Sequence, residues 1–179
     1  VVAAHILVIF LLWKNFRYVI DKAPAGDWFF PVWLIDFQRQ TIWAETLNIS
    51  GKTPWLGVGA NTVNFVPGAE KPLPGEVNLH IVPGHPHNWL VEIIAETGAI
   101  GAVLLIATVA TFFYILLRIY WKTPSAGILA SSAVSGGYWV SGLFNFSYWS
   151  AWWQIAFLLL SAYCLSFSCA TNYKKKSFN

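Results

Sequence analysis

Between Gly98 and Tyr173 the chain carries only two charged residues, Arg118 and Lys122, whereas every aspartate and glutamate falls between Asp21 and Glu96 inclusive. So long a stretch with so little charge is suited to lipid as solvent. A backbone in lipid must close its hydrogen bonds within itself, which favours helices. Composition agrees, because 56% of residues are hydrophobic and 11% charged, far more apolar than an ordinary soluble domain. Two regimes therefore meet near residue 98.

Gly98 to Tyr120 is the clearest crossing, closed by Arg118, Lys122 and Pro124, and predicts a transmembrane helix over 98–121. A second span is expected over 126–144, where Ser131, Ser132, Ser135, Gly136, Gly137 and Gly142 suit close helix packing better than lipid contact. A third, over 149–170, is entered through Tyr148, Trp149, Trp152 and Trp153, which resemble an aromatic belt at a membrane interface. The connection Asn145 to Tyr148 reads as a tight hairpin. At the other end, the apolar run Val1 to Trp13 would rise only about 20 Å as a helix, short of the ~30 Å hydrocarbon core. It has no basic leader and no small-residue cleavage site, so residues 1–13 are expected to be the end of a transmembrane helix rather than a signal peptide. The expected fold class is an all-α membrane protein, three to four transmembrane helices around a large, partly helical loop, and a fragment of a larger polytopic protein.

Arg118, Lys122 and the Lys174–Lys176 cluster fall on one side if the three later spans alternate, and that side is expected to be cytoplasmic. Residues 171–179 then form a basic cytoplasmic tail, read as a topology anchor ahead of an anionic-lipid contact. Residues 14–97 face the periplasm or cell exterior, in a bacterial inner membrane. Lys14 and Arg17 run against the charge rule there, which fits snorkelling at the outer interface or an anionic ligand. The net charge of +3 sits at membrane edges and in the loop and does not suggest nucleic acid. Cys164 and Cys169 are read as small core residues, with no redox or metal role.

Eight of the nine prolines fall within 14–97, so this loop must be a set of short pieces. Phe37 to Ile49 predicts a short helix with Asp36 as N-cap and Gly51 just past its end. Arg39 and Trp43, four apart, share a face. Residues 51–84 show no sustained period and are assigned turns. Pro86 suits the first position of a helix running through His87, Leu90, Ile94 and Thr97 into the membrane. His87 at that helix start can be base, ligand or cap, and the positive helix end favours a neutral ring. Asn88 is expected to cap or orient the same start. His80 and His85 invite a metal reading with His87, but no carboxylate stands at a recognisable ligand spacing, and no metal is expected. Glu92 and Glu96, an i, i+4 like-charge pair, are read as an exposed face rather than an acid/base pair. Trp43, Trp55 and Trp89 could stack on sugar rings or simply sit at the interface.

Taken together, His87-Asn88, nine residues, then Gly98-Ala99-Ile100-Gly101 resembles the signature of the O-antigen ligase and O-antigen polymerase superfamily, which includes protein O-oligosaccharyltransferases. Arg39-Gln-Thr-Ile-Trp43 and Pro54-Trp-Leu-Gly57-Val-Gly59 look like the same family's Arg-x-x-x-Trp and Pro-x-x-Gly-x-Gly segments, so the resemblance covers residues 36–101. It implies a metal-independent, inverting glycosyltransferase without cofactor, passing a glycan from a polyprenyl-diphosphate carrier to an acceptor hydroxyl on lipid A core or another glycan or protein. It also implies His87 as the catalytic base, with Arg39, Asn88 and Trp43 at the substrate. Arg39 could contact phosphate oxygens bidentately; as a surface residue it would pair with Asp36 or Glu45. The family places further arginines and helices upstream, so this segment alone is expected to be inactive. The reading from a different class is a transporter or channel, disfavoured because the later helices hold no ionisable group in mid-membrane.

The orientation is testable by single-cysteine labelling with an impermeant reagent, on a background lacking Cys164 and Cys169. A cysteine at position 70 is expected to label in intact spheroplasts and one at position 175 to be protected; the reverse pattern inverts the topology.

Overall fold

The computed structural model describes residues 29–32, 34–74 and 78–177, with side chains described as far as Phe167. The expected helix end at 1–13, together with Lys14 and Arg17, lies outside the described residues. Four helices follow one another: α1 (Phe37–Ser50), α2 (Trp89–Lys122), α3 (Ala126–Ser141) and α4 (Ala151–Ser177), with a 3₁₀ turn at Val63–Phe65. The described residues contain no strand, only an isolated antiparallel bridge between Pro72 and His80.

α1 starts and stops where its cap residues dictate. The Asp36 carboxylate accepts from the Arg39 N–H at 2.9 Å, supplying a partner for one of the donors that a helix start leaves open. Gly51 closes the other end. Ahead of the helix, the buried Gln40 amide donates to the carbonyls of Phe30 and Ile35, and its oxygen accepts from Phe30 N–H, so the incoming chain is fastened to α1. Between α1 and α2, the irregular stretch folds on a core of Val63, Ala69, Leu73, Ile81 and Val82, which Ile42 of α1 and Ala95 of α2 join. Each fully buried aliphatic side chain of this kind contributes about 1.5–3 kcal/mol. This small core seats the polar lobe on the first turns of α2.

α2 is interrupted once. Gly98 adopts φ 66° and ψ −170°, outside helical values, and kinks the helix. Helical pairing would give the Ala95 and Glu96 carbonyls to the N–H groups of Ala99 and Ile100. All four groups bond instead to the loop that follows α1: Val58 N–H donates to Ala95 O at 3.0 Å, Gly59 N–H to Glu96 O at 2.9 Å, Ala99 N–H to Pro54 O at 2.8 Å, and Ile100 N–H to Trp55 O at 3.3 Å. Backbone lies directly on backbone here. A Cβ on Gly57 would sit 2.3 Å from the Glu96 carbonyl carbon, and one on Gly98 2.3 Å from that of Trp55, and both glycines have positive φ. The Pro-x-x-Gly and Gly-x-x-Gly segments are thus the two sides of one contact.

Beyond the kink, α2 runs on for about 36 Å at 1.5 Å per residue, past the ~30 Å of a bilayer core. Among the described residues it is the one helix long and apolar enough to cross a membrane. α3 is shorter than the span expected over 126–144. It stops at Ser141 because the Gly142 carbonyl turns to accept from Trp89 N–H at 3.0 Å, which docks the end of α3 on the start of α2. Of the small residues expected to pack, Ser131 and Ser135 are buried, whereas Gly136 and Gly137 face open space. Tyr138 stacks on Phe157 of α4 at 4.3 Å between ring centres. The apolar part of α4 is Ala151–Phe167. Cys164 is half-buried rather than a core residue, and lines a cavity of about 490 Å³ with Pro124, Gly127, Ala130 and Phe167; the Cys169 side chain lies outside the described residues.

Gly57→Ala and Gly98→Ala are expected to destabilise the protein by more than the ~1–3 kcal/mol of backbone strain alone, because a methyl group would also overlap main-chain atoms. Gly84→Ala, with open space around it, should stay within about 0.5 kcal/mol of the parent. Thermal unfolding of the detergent-solubilised protein checks this, and parental stability of Gly98→Ala would show that the backbone contact is dispensable.

Candidate functional site at the start of the long helix

α2 begins at Trp89, not at Pro86 as its sequence suggests. Asn88 is the N-cap, with its side-chain oxygen accepting from Leu90 N–H at 2.9 Å and Val91 N–H at 3.2 Å, which leaves Pro86 and His87 ahead of the helix. A cap with two backbone donors defines a helix start more strongly than a proline that merely tolerates one. Asn88 is buried, and its carbonyl oxygen is engaged in this cap.

His87 holds φ 56°, the left-handed region that a non-glycine residue occupies at a cost of about 1–2 kcal/mol. Three contacts hold it there. Its N–H donates to His85 Nδ1 at 3.1 Å, the two imidazoles lie 4.2 Å apart, and its own Nδ1 meets the Asn145 carbonyl at 3.0 Å. A carbonyl can only accept, so Nδ1 carries the proton and the lone pair of the neutral ring is at Nε2. This carbonyl sets the tautomer. His85 is constrained in the opposite sense, since its Nδ1 must stay unprotonated to accept. Burial, and then the charge of His87, pull its pKa down to about 4.

Trp43 reaches the same place from α1. Its indole N–H donates to the Pro86 carbonyl at 2.9 Å, tying the face of α1 to the residue before His87. Arg39, one turn earlier on α1, is paired with Asp36 at 3.0 Å, with 40% of its side chain exposed. The structure thus brings Trp43, His87 and Asn88 together, and places Arg39 on the adjoining turn. His80 stands apart in the bridge with Pro72, and among the described residues no group of three His, Cys, Asp or Glu converges to hold a metal ion. The Trp89 indole donates to the Trp139 carbonyl at 2.8 Å, while Trp55 is 69% exposed.

Glu92 and Glu96, expected on an exposed face, are 1% and 2% exposed. Glu92 accepts from Ser147 Oγ at 2.7 Å and Tyr148 N–H at 2.5 Å. Glu96 accepts from the Asn61 N–H at 2.6 Å, the Val63 N–H at 3.2 Å and the Trp149 indole N–H. Asn61 takes a left-handed φ of 53°, which asparagine tolerates, to present its N–H. Buried carboxylates without partners would cost several kcal/mol, so these donors explain how two of them coexist four residues apart. The 142–150 connection is consequently not a bare hairpin. It is fastened to the start of α2 through Gly142, Asn145, Ser147, Tyr148 and Trp149. One sequence signal could have disclosed this, namely two carboxylates flanked by Val91, Ile93, Ile94 and Ala95 just before an apolar helix, where solvent is scarce.

Fold and site together define an all-helical protein with one membrane-length apolar helix, whose polar lobe gathers a tautomer-fixed histidine and its neighbours where that helix begins. The chain belongs to the O-antigen ligase family, whose defining sequence pattern matches residues 1–106. It is 27% identical over 118 residues to a protein named "Putative polysaccharide ligase" in Rickettsia conorii, covering 64% of this chain and 28% of that protein. Proteins of the same name in Rickettsia typhi and Rickettsia prowazekii match at 27% over 121 residues, covering 66% of this chain and 29% of theirs. The chain thus spans less than a third of the length of these curated relatives. No solved structure matches it.

The His85 contact predicts a pH dependence. An unfolded histidine takes up a proton near 6.5, the folded one only near 4, so the unfolded state binds more protons in between. Stability is therefore complete above about pH 6.5 and lost as pH falls through about 4. Melting temperature is expected to fall across this window in the parent and to fall less in His85→Gln; equal slopes would show that His85 does not titrate in the fold.

Proposed function

We propose that this chain is part of a membrane glycosyltransferase of the O-antigen ligase type, and that His87 Nε2 takes the proton from an acceptor hydroxyl. The acceptor oxygen bonds to the anomeric carbon of a glycan carried on a polyprenyl diphosphate. The carbon–oxygen bond to the diphosphate breaks on the opposite face, so the configuration at the anomeric carbon is inverted, the diphosphate leaves with the electron pair, and the proton rests on His87. No metal or cofactor has a part in these steps. The observation that carries the reading is the Nδ1–H bond of His87 to the Asn145 carbonyl, which leaves the basic lone pair at Nε2. Family membership supports the reaction class.

Arg39 holds the diphosphate, its guanidinium steadied by Asp36 on the helix turn next to Trp43. Trp43 serves the substrate chiefly by fixing the Pro86 carbonyl. Asn88 acts through its cap, which sets where His87 leaves the helix. The loop 14–97 faces the periplasm or cell exterior, Lys122 and the Lys174–Lys176 tail face the cytoplasm, and α3 and α4 join α2 in the inner membrane. The acceptor is lipid A core or a related glycan or protein hydroxyl.

In the full-length protein, expressed in a strain lacking its own ligase, His87→Ala is expected to lose about 10²- to 10⁴-fold in transfer rate with equal protein in the membrane. His87→Gln should be as inactive, since an amide keeps a hydrogen bond but takes no proton at neutral pH. Arg39→Lys should lose most activity despite keeping its charge. Glycan transfer at the parental rate by both His87 variants would overturn the base assignment, and by Arg39→Lys the diphosphate contact. Loss of activity on chelation, with His85→Ala and His80→Ala also inactive, would favour a metal instead.

A further inference from the structure

We propose that Glu92 is a positioning residue for His87, acting at a distance by clamping the 142–150 connection so that the Asn145 carbonyl stays against His87 Nδ1. The inference rests on the reading of His87 as base. Glu92 lies five residues after His87, and its carboxylate bonds not to the histidine but to Ser147 Oγ at 2.7 Å and Tyr148 N–H at 2.5 Å. Ser147 Oγ in turn accepts from Trp149 N–H at 3.1 Å, so the hydroxyl joins the carboxylate to the turn it holds. Two residues before Ser147, the Asn145 carbonyl meets His87 at 3.0 Å.

Trp89 N–H on Gly142 and Glu96 on the Trp149 indole fasten the edges of the connection, while from α4 the Gln154 amide donates to the Tyr148 carbonyl and Trp152 and Trp153 pack on Phe146. Between these anchors, the described hydrogen bonds from α2 to residues 145–148 all come from Glu92. Glu92 is 1% exposed, and a carboxylate so placed must keep its donors or remain without partners in a dry environment. It therefore resists loosening of the turn. Without the clamp, Asn145 can withdraw and the imidazole is free to rotate or exchange its proton between nitrogens, which removes the lone pair from Nε2 for part of the time. An amide at position 92 lacks the second acceptor oxygen, and an alanine at 147 lacks the hydroxyl. Both changes leave His87, Arg39 and Trp43 in place.

The test compares Glu92→Gln, Ser147→Ala, Ser147→Thr and His87→Ala in the full-length protein in membranes. It measures kcat and donor KM with a polyprenyl-diphosphate-linked glycan, and the amount of that donor bound at saturation per protein. Glu92→Gln and Ser147→Ala are expected to lower kcat about 10- to 100-fold, the scale of a mispositioned catalytic group, with KM and binding capacity at parental values. Ser147→Thr keeps the hydroxyl and should return most of the rate. A fall in binding capacity that matches the fall in kcat, with no rescue by Ser147→Thr, would make Glu92 structural only and overturn the proposal. If Glu92→Gln fails to accumulate, Ser147→Ala against Ser147→Thr decides alone. Parental kcat in Glu92→Gln and Ser147→Ala beside an inactive His87→Ala would overturn the clamp and leave His87 as base, whereas a fully active His87→Ala would end both readings.

Discussion

The exchange of backbone hydrogen bonds at Gly98 is the constraint on which the other features depend. A helix that enters an apolar medium cannot leave carbonyls and N–H groups unsatisfied, yet a kink does that to two pairs at once. Residues 54–59 supply all four missing partners, and they can do so only because Gly57 and Gly98 carry no side chain. The polar lobe is consequently seated on α2 by main chain as well as by its small apolar core. That fixes the height of α1, and with it Trp43 and the Pro86 carbonyl, relative to the start of the long helix.

In the two turns before the kink, buried carboxylates add to the apolar packing of the lobe. Glu96 gathers the 61–63 turn and Glu92 the 147–148 turn, each with backbone donors as well as side chains. An apolar contact would tolerate sliding, whereas hydrogen bonds to a buried charged or polar oxygen specify register. The strained His87 sits at the end of this network, held by three contacts to two neighbours, His85 and Asn145. Strain of this kind persists only where the surroundings over-determine it.

Much of this was legible in the sequence and some was not. Asp36 and Gly51 mark the ends of α1 because capping is local chemistry, and the apolar run after Gly98 marks α2 because lipid-like composition is too. The His-Asn and Gly-x-x-Gly segments disclosed the family for the same reason. The helix start was misplaced by three residues since Pro86 and Asn88 both offer start signals, and only the geometry shows that the asparagine oxygen takes two N–H groups. Glu92 and Glu96 read as an exposed face because their partners lie up to 56 residues away in the chain. Local spacing then suggests repulsion, while long-range donors remove it. The premature end of α3 has the same origin, in a contact between Gly142 and Trp89 that no window of neighbouring residues contains.

The contact of His87 with Asn145 joins residues 58 apart in the chain, with the whole of α2 and α3 between them. During synthesis the histidine emerges first and stays without its partner carbonyl until both helices have been made and brought side by side. Biogenesis therefore imposes an order on this site. A nascent chain stalled within α3, or one whose last helices fail to assemble, would display the histidine in an unrestrained ring orientation. The tautomer is thus a late product of assembly, and the quality of helix pairing decides whether it is reached.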